Sequence, residues 1–159
     1  ESAESLSRFL EEKAIPEEDY IDLFELDPKC ALYLGSHSYA EPKTCSGAAV
    51  SDRNEYMIEL SGISGHFGQK LNGLALPDYL PLMVDFLSMT VDSGRGDPLR
   101  GKLIGEYMLP YLPPMRSRLE ELETPYLYLL DALEKVMNIE ATAQAPSTSR
   151  EQKVEYHVG

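Results

Sequence analysis

Leu74-Ala75-Leu76-Pro77-Asp78-Tyr79-Leu80-Pro81-Leu82-Met83-Val84-Asp85-Phe86-Leu87 is the stretch on which the fold turns. A helix is expected to begin near Leu76-Pro77-Asp78, with Asp78 as its cap. Leu80, Met83, Val84, Leu87 and Val91 recur at helical spacing along one stripe. Leu82, Phe86 and Met89 make the opposite side apolar as well. A helix that is apolar nearly all round sits centrally in a bundle or shows one face to a partner.

The rest of the chain is also helical in pattern. Leu6, Phe9 and Leu10 share a face in a helix expected over Ser2 to Lys13. Pro16 opens the next, with Glu17, Glu18 and Asp19 in a first turn that favours acids. Tyr20, Ile21, Leu23 and Phe24 are its apolar residues. Pro28, Gly35, Pro42 and Gly47 punctuate residues 27–50, an irregular connection. A third helix is expected from Ser51 to Asn72, Asp52 and Glu55 having the spacing of a capping box. Its Gly62 and Gly65 either weaken it or let another helix approach. Ser93-Gly94-Arg95-Gly96-Asp97 reads as a connector or a hinge, and Asp97-Pro98 starts a fifth helix that Pro110, Pro113 and Pro114 break or kink. Thr124-Pro125 begins the last helix, carrying Leu127, Leu130, Leu133 and Met137. The fold class is therefore all-α: a single-domain bundle of about six to seven helices. The helical domain spans residues 1–139, and 140–159 form a C-terminal tail in which Val154, Tyr156 and Val158 alternate.

Composition narrows the function. A chain of 159 residues can bury an ordinary core without a staple. Its formal charge of −13 disfavours nucleic acid, which needs clustered Lys and Arg, and suits a basic partner or plain solubility. No apolar run approaches the ~18 residues of a membrane span. No signal peptide is visible, although Glu1 is not a start methionine. Cys30 and Cys45 make no disulfide framework and suggest a reducing compartment, so a cytoplasmic location is expected.

Catalytic and metal signals are weak. Cys30, His37, Cys45 and His66 match no compact zinc spacing. Cys45 and His37 lack a local activating group. Asp78 and Asp85 share a helix face and invite a paired-carboxylate reading. The plainer alternative is a cap and a solvent-facing or ligand-facing acid. No nucleotide-binding glycine loop or nucleophile elbow occurs. No enzyme activity, catalytic residue, metal or cofactor is expected.

The segment from Leu74 to Leu87 resembles the signature LPD(H/Y)LP of the NarJ/TorD/DmsD family of redox-enzyme maturation chaperones, nearest the NarJ branch, with Tyr79 where His is common. Glu18-Asp19-Tyr20-Ile21-Asp22-Leu23-Phe24 is similar to the family's early "Y..LF" stretch, and Leu119-Glu120-Glu121-Leu122-Glu123-Thr124-Pro125-Tyr126 to its late "RLE....SPY" stretch. The three occur in the family's order. The resemblance implies an all-helical, system-specific chaperone. Such a protein binds the N-terminal leader peptide of a molybdoenzyme catalytic subunit and assists molybdenum-cofactor insertion and assembly.

A leader of that kind joins a basic to an apolar stretch, so its receptor needs an apolar groove with acids on the rim. Leu82, Phe86 and Met89 are the expected floor, Asp78 and Asp85 the rim, and Tyr20 and Phe24 a side wall, with Leu76, Pro77 and Tyr79 completing the peptide-binding set. Ordinary core packing is the alternative for each apolar member. The expected partner is the leader peptide or apo form of a molybdenum-containing oxidoreductase subunit, met by a monomer or weak dimer. The alternative function is a helical interaction or regulatory module that binds a folded partner through an exposed apolar patch.

Overall fold

Pro16 and the acids behind it begin the second helix, as the dipole argument requires, and the helices on either side follow from equally local signals. The structure, a computed structural model, describes residues 2–11, 15–39, 51–69, 73, 75–92 and 96–144. Helix α1 is Ser2–Glu11 and α2 is Glu17–Phe24. Three residues beyond the end of α2, Asp27 takes a left-handed φ of 52° just before Pro28. Residues 27–39 are irregular apart from a 3-10 turn at Leu34–His37, and residues 40–50 lie outside those described.

Helix α3, Asp52–His66, is capped one residue earlier than the sequence pattern implies. The Ser51 side chain accepts from the Asn54 amide at 3.2 Å, which leaves Asp52 and Glu55 as first-turn acids. The helix also ends short of Asn72, because Gly68 turns left-handed at φ 74°. Gly62 and Gly65 face open space, so neither serves a close helix approach.

Helix α4 is Leu80–Met89, four residues later than expected at its start. Residues 76–79 form a turn instead, closed by the Tyr79 amide donating to the Leu76 carbonyl at 3.1 Å. Asp97 caps α5, Pro98–Lys102, accepting from the Leu99 amide at 2.8 Å. The chain then widens into a π stretch over Leu103–Met108 and tightens into a 3-10 turn over Leu109–Tyr111, before α6, Leu112–Glu121. Pro110 has no amide to continue an α ladder, so the irregular turns fall at the expected proline break. Tyr56 donates its hydroxyl to the Tyr107 carbonyl at 2.9 Å and so satisfies one acceptor of this stretch. Glu123, at φ 48°, turns the chain into α7, Tyr126–Gln144. This helix runs past residue 139. Its Glu140 pairs with the buried Arg100, which also donates to the Leu87 carbonyl at 2.8 Å. The alternating residues 154–158 and most of the 93–97 connector lie outside the described residues.

Among the described residues the fold is all-α, with one isolated antiparallel bridge between Tyr33 and Tyr79 and no named strand. The core gathers Leu34 from the 3-10 turn and Leu60, Ile104, Met108, Leu112, Met115 and Met137 from the central and C-terminal helical stretches. Met83, Phe86 and Leu87 join it from α4, and Leu23 and Phe24 from α2. Helix α1 packs along α7. Phe9 lies 5.5 Å from the Tyr126 ring, and Lys135 donates to the buried Ser5 hydroxyl at 2.9 Å.

Candidate functional site

Helix α4 divides its residues between two environments. Met83, Phe86 and Leu87, with Thr90 just past the helix end, are buried in the bundle. Leu80, Pro81, Val84, Asp85 and Ser88, at three- and four-residue spacing, border a cleft of about 720 Å³. Helix α1 contributes Ala3 and Leu6, α2 contributes Tyr20 and Phe24, and Leu32 comes from the loop. Helix α6 gives Met115 and Leu119, and α7 adds Tyr126, Leu129, Leu130, Ala132, Leu133 and Val136. The size falls within the usual range of roughly 300–1,000 Å³ for ligand clefts.

The lining is apolar, and its large residues Leu6, Leu129 and Val136 are exposed at the surface. Grouped exposed apolar residues of this sort mark an interaction site. Tyr20, Phe24 and Tyr126 form an aromatic end, Phe24 meeting Tyr126 edge-on at 4.9 Å and Tyr20 lying 5.2 Å from Phe24. Burial and the neighbouring Tyr79 and Glu25 push the Tyr20 hydroxyl above its usual pKa, so it stays a neutral donor. Asp85 is the charged member of the described lining, and it is exposed. The Ser88 hydroxyl donates to the Asp85 carbonyl at 2.8 Å and is thereby taken up by the backbone. The cleft is thus an apolar trough with a carboxylate along its α4 edge.

The expected set of site residues is only partly gathered here. Tyr20, Phe24 and Asp85 line the cleft; Leu76, Pro77, Asp78, Tyr79, Leu82, Phe86 and Met89 do not. The face expected as floor, 82/86/89, is one residue out of register with the face that lines it, 81/84/85/88, a rotation of about 100°. Phe86 is instead buried edge-on to Phe67 at 5.5 Å, and Met89 is exposed away from the cleft.

Asp78 requires the clearest correction. It is 0% exposed and stands on no rim, and it precedes the helix it was expected to cap. Its carboxylate accepts from the Gly35 amide at 3.0 Å, with the Arg53 guanidinium 3.8 Å away. Burial pushes its pKa up, while the Gly35 amide and Arg53 pull it down. Tyr79 packs against Tyr33 in a tilted arrangement, with centroids 5.1 Å apart and the rings inclined at 39°.

The residues that sequence reasoning missed come from α1, α6 and α7. Leu129, Leu133 and Val136 repeat at helical spacing, but nothing local separates a cleft wall from core in such a repeat. The sulfur and imidazole groups are dispersed. Cys30 is buried, and burial pushes its thiol up to about 11 although Arg118 pulls it down. His37 donates to the Ala31 carbonyl at 2.7 Å, and His66 pairs with Asp97 at 2.9 Å. Cys45 lies outside the described residues. No group of three His, Cys, Asp or Glu positioned for a metal occurs among the described residues, nor any helix long and apolar enough to cross a membrane.

Comparison with known proteins gives a consistent set of relatives. The chain is 29% identical over 119 residues to the nitrate reductase molybdenum cofactor assembly chaperone NarJ of Escherichia coli strain K12, and equally to that of strain O157:H7. This alignment covers 75% of the chain and 44% of the relative. It is also 29% identical over 115 residues to the K12 protein named "Probable nitrate reductase molybdenum cofactor assembly chaperone NarW", covering 72% of the chain and 44% of that protein. The chain therefore matches less than half the length of these curated relatives. No protein-family profile and no solved structure matches it.

Proposed function

We propose that the chain is an assembly chaperone of the NarJ/TorD type, like the curated relatives it resembles, and that it holds the N-terminal leader peptide of a molybdoenzyme catalytic subunit in the cleft between α1, α2, α4 and α7. The observation that carries this reading is the composition of the cleft: a continuous apolar lining with Asp85 on one edge. A leader that joins an apolar run to a basic residue finds a counterpart for each part. Seated there, the peptide keeps the apoenzyme from premature membrane attachment or export while the molybdenum cofactor is inserted. The role belongs to a cytoplasmic, acidic protein and to a chaperone, not an enzyme. A concave trough also favours an inserted peptide over the flat contact that docking of a folded partner needs.

The test is calorimetric titration with synthetic N-terminal peptides of molybdoenzyme catalytic subunits. Binding that weakens as salt screens the Asp85 edge supports the proposal. No binding by any cognate leader at high protein concentration, with capture of folded client alone, overturns it.

A further inference from the structure

The signature turn at residues 76–79 is fastened to the 32–35 arm from both sides. The Leu34 amide donates to the Asp78 carbonyl at 3.0 Å, and the Leu80 amide to the Leu32 carbonyl at 2.8 Å. These bonds make the Tyr33–Tyr79 bridge. The Asp78 side chain then closes it, taking the Gly35 amide at 3.0 Å in a wholly buried setting. Gly35 is required at that point, since an added Cβ would stand 2.8 Å from the Asp78 Oδ2 and 3.4 Å from the Arg53 Nε.

The flanks of this fastening are cleft residues. Leu32 begins the arm and Leu80 follows the turn, and both line the trough. Tyr79 interacts with the hydroxyl of Tyr20, a third lining residue. Two chain segments far apart in sequence thus meet at one wall, and the polar contact that sets their relative placement lies behind that wall, out of reach of any ligand.

We propose that Asp78 and Gly35 form a buckle that positions the Leu32–Leu80 wall of the cleft, so that the acid of the signature acts on ligand binding through cleft geometry and not by contact with the ligand. The inference deepens the leader-peptide reading and rests on it for the identity of the ligand. A carboxylate suits the task. It is short and accepts strongly from a backbone amide, and its attraction to Arg53 adds a second bearing from α3. A methyl group on Gly35 cannot coexist with that bond, so the two residues act as one unit and their substitutions are coupled.

The experiment compares wild type, Asp78→Ala, Asp78→Asn, Gly35→Ala and the Asp78→Ala/Gly35→Ala double variant. Leader-peptide affinity is read by calorimetry, occupancy of the apolar cleft by Nile red fluorescence, and folding by circular dichroism. Arg100→Met, which breaks the buried pair with Glu140 near the other end of α4, serves as the destabilised control.

The expected result is at least a tenfold loss of peptide affinity in Asp78→Ala and in Gly35→Ala. The double variant should be no weaker than either single one. Asn, which keeps an acceptor for the Gly35 amide, should recover affinity to within about threefold of wild type. The control should melt earlier yet bind normally. Wild-type affinity in a folded Gly35→Ala overturns the proposal, as does additivity of the two single losses or an equal affinity loss in the control. If Asp78→Ala does not fold, Gly35→Ala and Asp78→Asn decide alone. If wild type takes up Nile red but no leader, the leader reading has failed and the buckle stands or falls on the dye response of the same variants.

Discussion

The turn at 76–79 and the cleft wall at 81–88 adjoin in sequence, yet they meet opposite demands. The turn is sealed. Asp78 has no exposed surface, Leu34 beside it on the 32–35 arm is buried, and its contacts include directional hydrogen bonds to that arm. The wall is open and apolar, and its charge, Asp85, is in water. Two aspartates seven residues apart therefore differ in kind. One is consumed by the fold and the other is left over from it. A charge that the fold does not use remains available to a partner.

That contrast can be broken most forcefully on α4 itself. Phe86→Ala should cost about 3–5 kcal/mol of stability, because the ring is buried against Phe67. Val84→Ala, on the cleft face, should cost less and act mainly on leader affinity. Urea unfolding beside peptide titration checks the pair, and an equal stability loss for both would erase the division of α4 into two faces.

Asp85→Lys should weaken a basic leader about tenfold, roughly 1.4 kcal/mol, while stability stays within about 0.5 kcal/mol of wild type. Salt titration sharpens this, since the variant should lose the salt dependence that wild type shows. A variant that binds as wild type removes Asp85 from the site.

The sealed side makes a smaller, pH-dependent prediction. Burial raises the Asp78 carboxyl above its ordinary value of 3.8. Between that value and the raised one, the folded chain keeps a proton that the unfolded chain has lost. The contribution of this group is therefore full below 3.8 and declines as pH rises through that window. Asp78→Asn lacks that decline, so its denaturant midpoint should rise relative to wild type as pH passes up through the window. A difference that falls with pH would mean that the carboxylate is better stabilised than its burial indicates.

Smallest of all is a silence. With its pKa pushed up to about 11, the buried Cys30 thiol should resist alkylation at pH 8 in a Cys45→Ser background until the chain is unfolded. Rapid labelling of the native protein would show that the chain opens around Cys30, just before the 32–35 arm.

Much of this was legible from residues alone. The helical period, the acid-rich start after Pro16, the Asp97 cap and the proline break at 110 are local effects, each settled within one turn of chain. Family resemblance was legible too, because the signature from Leu74 to Leu87 keeps its order with two flanking stretches. The helix caps at Ser51 and the end of α7 shifted by a few residues, since neighbouring polar side chains compete for the same amides and a helix stops where tertiary contacts stop. For α7 those include the pair of Glu140 with Arg100.

The amino-acid sequence determined an acidic, all-helical chain with an apolar central helix and a stretch that resembles the signature of assembly chaperones, because period, charge and turn chemistry are properties of neighbours. Only the tertiary structure decided which side of that helix meets the cleft and which of its two aspartates is free. Leu80–Met89 carries apolar residues on every side, so its rotation is fixed by what packs against it, and the buried Asp78 is held by Gly35, which lies forty-three residues away along the chain.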